Sequence, residues 1–313
     1  MSQVRFIKVT PDYAGQRLDN FLQRELKGVP RTRIYRALRK GEIRINKGRV
    51  KADTRVAAGD MVRIPPLHIN TGQEVTHVPD RWAKRLTSGV VYEDDGLLVL
   101  NKPAGLAVHG GSGLNYGLIE CLRLLRTQDR YLELVHRLDR ETSGILLIAR
   151  KASVLKDLHR QLREEHMDKR YLALVAGTWP RRRSFVEAPL LKCSVKEGER
   201  IVRVDKQGKP ARTDFKVLRR FEGVTLVEAR PLTGRTHQIR VHAQFAGHPL
   251  LGDEKYQSPE VAELARRHKV PRLFLHAAQL TFRNAAGNRQ QVSAPLEPEL
   301  QAVLDQMPAL DGS

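Results

Sequence analysis

The chain has 313 residues, 41% of them hydrophobic, and two cysteines, Cys121 and Cys193. This supports two folded domains, gives neither a disulfide framework nor a four-thiolate zinc site, and, with no run of about 18 apolar residues and no apolar leader, leads us to expect a cytoplasmic protein without a membrane span. Lys and Arg number 55 against 35 acidic residues, a net charge of +20, which points to a nucleic acid as partner, because no strongly apolar amphipathic helix accompanies the charge to suit it to a membrane.

Half of that net charge lies in residues 1–63, which hold 16 Lys/Arg and 6 Asp/Glu. Leu18, Phe21, Leu22 and Leu26 recur at helical spacing and predict a helix over 16–27, broken by Gly28 and Pro30. A second helix is predicted over 31–40, with Ile34, Ala37 and Leu38 inward and Arg31, Arg33, Arg36, Arg39 and Lys40 on its remaining surface. Gly41 ends it. Two strand-like pieces follow, EIRIN and MVRIP, with a turn at Asn46–Gly48. Two short helices and a small sheet with a basic stripe, carried by RLDNFLQREL, RTRIYRALRKGEIRINKGRV and AGDMVRIP, resemble the RNA-binding domain named after ribosomal protein S four. We assign that domain to residues 1–64 and expect its five helical cations to grip RNA phosphates.

Residues 65–88 are polar and proline-bearing with no clean period, and read as a linker. A second domain, 89–313, opens with VVYED and LLVLNK. Further strands are predicted at GILLIAR, YLALVAG, TDFKVLRRF, VTLVEARPL and LFLHAAQLTF, and helices at 115–127, 152–166, 237–246 and 259–268. Strands outnumber helices and do not alternate regularly with them. That predicts an α+β fold with a mixed, mainly antiparallel sheet.

The stretch richest in chemistry is LELVHRLDRETSGILLIAR, a charged loop between two apolar segments and thus a place for a site on a rigid frame. Taken alone, Asp139 could cap a turn, Thr142 and Ser143 could be turn residues, Tyr171 a strand residue and Arg240 a surface cation. The blocks NKPAGLAVHGG, HRLDRETSG, KRYLALV and TGRTHQIRVH, in that order and spacing, followed by LLGDEKY and LFLHAAQL, resemble the RluA family of pseudouridine synthases over nearly the whole chain.

The resemblance implies isomerisation of uridine to pseudouridine at several positions of 23S ribosomal RNA, free or in the assembling large ribosomal subunit, in a central cleft. Nothing in the sequence demands a dimer, so a monomer is expected. It implies Asp139 as the catalytic carboxylate, Arg240 as a guanidinium able to pair with it, and Tyr171 as the active-site aromatic. Arg137, His136 and Thr142 are expected at the substrate, Arg137 filling the space left by an extruded base or holding a phosphate. The reaction breaks the N1–C1′ bond and remakes it through C5 with no net change of atoms or redox state, so no cofactor and no metal are expected.

Other chemistries are less well supported. His237 and His242 are five apart and poorly placed to share a metal on a helix, and no HExxH motif occurs. Asp139 and Glu141 are two apart, which does not suit a glycosidase pair. No glycine-rich loop ending in Lys-Ser/Thr is present. A non-catalytic RNA-binding protein and a synthase acting on transfer RNA remain the alternatives.

Overall fold

The computed structural model describes residues 4–26, 29, 31–67, 77–110, 116–194 and 200–310. They fall into two compact units: 4–67 with 77, and 78–110 with 116–310.

In the N-terminal unit, β1 (Arg5–Lys8) leads to α1 (Leu18–Glu25) and α2 (Arg31–Arg39). Then come β2 (Arg44–Ile45), β3 (Gly48–Arg49) and β4 (Met61–Ile64). The strands form an antiparallel sheet in the order β1-β4-β2-β3. Leu18, Phe21 and Leu22 of α1 and Ile34, Ala37 and Leu38 of α2 are buried in one core with Val62 and Ile64. Helical spacing placed these six correctly because each helix has a single apolar face. Asn46 and Lys47 both adopt positive φ, 48° and 71°, and close a two-residue hairpin between the paired Ile45 and Gly48.

The second unit begins with α3 (Asp80–Ser88), β5 (Val90–Glu93), β6 (Leu97–Lys102), α4 (Leu118–Leu125) and β7 (Glu133–Leu134). It continues through β8 (Ser143–Ala149), α5 (Ala152–Arg163), β9 (Asp168–Ala176), β10 (Phe185–Glu187), β11 (Leu190–Ser194) and β12 (Arg200–Val204). Next are β13 (Arg212–Phe221), β14 (Val224–Pro231), α6 (Gln238–Phe245), α7 (Pro259–Arg267), β15 (Leu275–Arg283), β16 (Arg289–Ser293) and α8 (Pro298–Gln306). Ten strands make one sheet, β10-β13-β14-β9-β15-β8-β6-β5, with β16 added on β15 and β7 on β8. Among the described residues one pairing in it, β8 with β15, is parallel and the others are antiparallel. The fold is therefore α+β with a mixed, mainly antiparallel sheet.

Every residue of β8 is buried, which is why it reads as an unbroken apolar run rather than an alternating one. At its start Gly144 has φ +108°, and a Cβ there would lie 2.3 Å from the Ala277 carbonyl oxygen of β15. Only glycine permits the two strands to meet so closely.

The linker assignment needs correction. Residues 68–76 lie outside the described residues, but 80–88 are helical. Trp82 and Leu86, one turn apart, bury α3 in the second unit, so two apolar anchors outweigh a polar composition. The β11–β12 hairpin, too short in apolar pattern to be predicted, packs Val202 with Val241 of α6 and with Tyr256. Among the described residues, no helix is long and apolar enough to cross a membrane.

Candidate active site

Asp139 sits in the loop between β7 and β8, and the loop is fixed at several points. The Thr142 amide donates to the Asp139 carbonyl (3.2 Å), and the Gly105 amide to the Arg140 carbonyl (2.9 Å). Lys102, with 0% of its surface exposed, donates to the carbonyls of Pro103 (2.8 Å), Leu106 (2.9 Å) and Arg140 (3.1 Å). Three acceptors use all three ammonium donors, even though burial pushes this lysine down to about 7. These bonds tie the Asp139 loop to the turn that follows β6.

Opposite Asp139 lies α6. Its Arg240, only 8% exposed, is held bidentately by Asp253, with Nε to Oδ2 at 2.7 Å and Nη2 to Oδ1 at 2.6 Å. Asp253 also accepts the amides of Lys255 and Tyr256. The Arg240 Nη1 approaches Asp139 Oδ2 to 3.7 Å. The guanidinium therefore does not fork onto Asp139; its fork belongs to Asp253, and one edge is presented to Asp139. Burial lowers the Arg240 pKa, but the hydrogen bonds and charge of Asp253 outweigh it and raise the pKa overall.

His237, just before α6, brings Nε2 to 3.7 Å from the same Asp139 oxygen and Nδ1 to 2.6 Å from the Tyr256 hydroxyl. Tyr171 projects from β9, between β14 and β15. Burial first, and then the charge of Asp139, push its phenol well above the usual range, so it keeps its proton.

His136, Arg137, Asp139, Thr142, Tyr171 and Arg240 all line one cavity of about 720 Å³, within the range that holds a small organic ligand. Arg137 is exposed at it. His136 and Thr142 contribute mainly to the frame. His136 Nε2 accepts the Leu147 amide of β8 (3.1 Å), and burial pushes the ring down to about 4. Thr142 is 2% exposed and closes the Asp139 turn. Sequence reasoning missed three contributors, Asp253, Tyr256 and His237. The first two lie in LLGDEKY and the third in TGRTHQIRVH, but nothing in their spacing announces that they converge.

In the N-terminal unit Arg36, Arg39 and Lys40 are exposed, as expected. Arg33 is half-buried and pairs with Glu42 at 3.4 Å. The side chain of Arg31 lies outside the described residues. A second basic feature was not foreseen. Phe6, Arg63, Arg44 and Arg49 are direct cross-strand neighbours in a row over four strands. Side chains directly opposite share a face, and Phe6 is 63% exposed there. Arg63 and Arg44 donate to the Glu42 and Gly41 carbonyls.

Residues 96–245 match the family model of RNA pseudouridylate synthase, and residues 16–62 match that of the S4 domain. The chain is 51% identical over 306 residues to ribosomal large subunit pseudouridine synthase C of Pasteurella multocida (strain Pm70), covering 96% of this chain and 93% of that one. It is 51% identical over 308 residues to the protein of the same name from Escherichia coli (strain K12), covering 97% of each. The solved structure of human RNA pseudouridylate synthase domain containing 4 superposes with a TM-score of 0.59 at 28% identity, covering 71% of this chain and 94% of that one.

Proposed function

This chain belongs to the RNA pseudouridylate synthase family, and from that premise we propose that it isomerises several uridines of 23S ribosomal RNA with Asp139 as the catalytic carboxylate, in the cytoplasm where that RNA is assembled into the large subunit. The observation that carries the proposal is the meeting of Asp139, Arg240 and Tyr171 in one cavity, with Asp139 Oδ2 3.7 Å from the guanidinium.

In this reading the target uridine leaves its stack and enters the cavity. Arg137, exposed at the cavity, takes the vacated space or a neighbouring phosphate. The Tyr171 ring, protonated and half-buried, offers a flat face for the uracil and keeps it near Asp139 as it turns. Over the reaction the N1–C1′ bond breaks and the C5–C1′ bond forms, C5 loses a proton and N1 gains one, so atoms and charge balance. Asp139 acts on the nucleoside while Arg240, braced by Asp253, keeps a fixed positive charge beside it. The exposed cations of the N-terminal unit hold RNA through its phosphates.

The test is tritium release from ribosomal RNA labelled at uridine C5. The wild-type chain releases label, and Asp139→Asn, which keeps the shape and removes the charge, loses at least about a thousandfold of that rate, or roughly 4 kcal/mol of transition-state stabilisation, while still binding RNA. Retained release by Asp139→Asn overturns the assignment. Release from transfer RNA in place of ribosomal RNA would overturn the substrate.

A further inference from the structure

His237 has φ +53°, a left-handed backbone that non-glycine residues seldom adopt, and it is the residue from which α6 starts. Such strain persists where the surroundings fix it, and it often marks a working position. Here it places one imidazole between two oxygen atoms. Nδ1 lies 2.6 Å from Tyr256 Oη, and Nε2 lies 3.7 Å from Asp139 Oδ2.

The hydrogen bonds around Tyr256 determine which ring nitrogen carries the proton. Tyr256 Oη accepts the Val202 amide of β12 at 3.1 Å. A phenol oxygen holds its proton and its better lone pair in the ring plane. With that lone pair taken by Val202, the hydroxyl proton is what remains to face His237. Nδ1 is then the acceptor and Nε2 bears the hydrogen. The other end agrees, because the opposite tautomer would aim a bare lone pair at the Asp139 carboxylate.

We infer that His237 is a positioning residue, a neutral imidazole whose Nε2–H is directed by Tyr256 and the β11–β12 hairpin at Oδ2 of Asp139, and which fixes the orientation of that carboxylate as the nucleoside enters. Burial pushes the imidazole below its usual range despite the pull of Asp139, which keeps it neutral at pH 7. Arg240 approaches the same oxygen, and its guanidinium lies 4.9 Å from the centre of the Tyr256 ring. Tyr256 thus braces both groups that face Oδ2. The inference rests on the reading of Asp139 as the reacting carboxylate.

Long-range ¹H–¹⁵N correlation on the full chain with ¹⁵N-labelled histidine tests it directly, the His237 signals being identified by their loss in His237→Gln. Protonated Nε2 with bare Nδ1 is the expected pattern at pH 7; a protonated Nδ1 overturns the inference. On a large-subunit RNA transcript, Tyr256→Phe lowers kcat about tenfold, the worth of one hydrogen bond, with KM held within about twofold. His237→Gln, whose amide N–H can reach the same oxygen, keeps more of kcat than His237→Ala. Wild-type kcat in Tyr256→Phe alongside an inactive Asp139→Asn overturns this inference alone. Turnover by Asp139→Asn overturns the reading beneath it as well.

Discussion

Two sets of cations, one in each unit, are used in opposite ways. In the N-terminal unit Arg36, Arg39 and Lys40 stand exposed, and Arg63, Arg44 and Arg49 are set directly opposite one another across strands. Like charges so placed repel, a cost that RNA phosphates over the row would offset under the proposed function. In the second unit Lys102 and Arg240 are buried, with every ammonium donor or the whole fork used internally. An exposed cation is inexpensive and acts by releasing counterions; a buried one is costly to desolvate and serves as a fixed part of the geometry.

The largest expected effect that sharpens this contrast is on Asp253. Asp253→Ala leaves Arg240 buried without its partner and is expected to cost about 3–5 kcal/mol of stability. The exposed pair Glu263–Arg266 is the control, where Glu263→Ala costs less than about 1 kcal/mol. Urea unfolding followed by tryptophan fluorescence reads the second unit alone, because Trp82 and Trp179 both belong to it. Equal losses at the two sites would erase the distinction.

Acid comes next. Burial pushes His136 and His276 down to about 4 and lowers His237 as well. An unfolded histidine takes up its proton near 6.5, so between 6.5 and 4 the unfolded chain binds more protons than the folded one. Stability of the second unit is therefore full above about 6.5 and falls as pH drops toward 4, by about 2 kcal/mol for each such histidine. Thermal unfolding by tryptophan fluorescence at pH 7.5 and 4.5 measures this, and a flat profile would show these rings are not buried neutral.

Smaller effects belong to the exposed cations. Replacing Arg36, Arg39 and Lys40 together by Gln is expected to weaken RNA binding and to flatten log K against log salt by about 0.7–0.9 for each phosphate no longer neutralised. An unchanged slope would place the RNA elsewhere. The smallest is Arg49→Ser, which removes the exposed end charge of the row and stabilises the RNA-free N-terminal unit by a few tenths of a kcal/mol, while weakening RNA binding. Titrations at two salt concentrations and thermal unfolding separate the two signs.

Much of the fold was legible because apolar periodicity is a local property. The buried faces of α1 and α2 and the apolar run Ile145–Ala149 of β8 announce themselves in the sequence. Helix α3 did not, since two anchors, Trp82 and Leu86, are hidden among polar neighbours. The candidate site was legible as residues that share a cavity but not as partnerships. Asp139, Tyr171 and Arg240 meet in one cavity, yet Arg240 takes its fork from Asp253, 13 positions away along a chain that turns between them. The short β11–β12 hairpin and its reach to Tyr256 are likewise products of long-range packing, which no spacing rule encodes.

The Asp253 fork has a further consequence for the course of the proposed reaction. Any step that consumes the negative charge of Asp139, whether by bond formation or by proton uptake, would strand a guanidinium that depended on it. Arg240 depends mainly on a different carboxylate, so its own charge stays balanced as the nucleoside passes from one linkage to the other. In the proposed reaction that guanidinium can stay in place while the base turns.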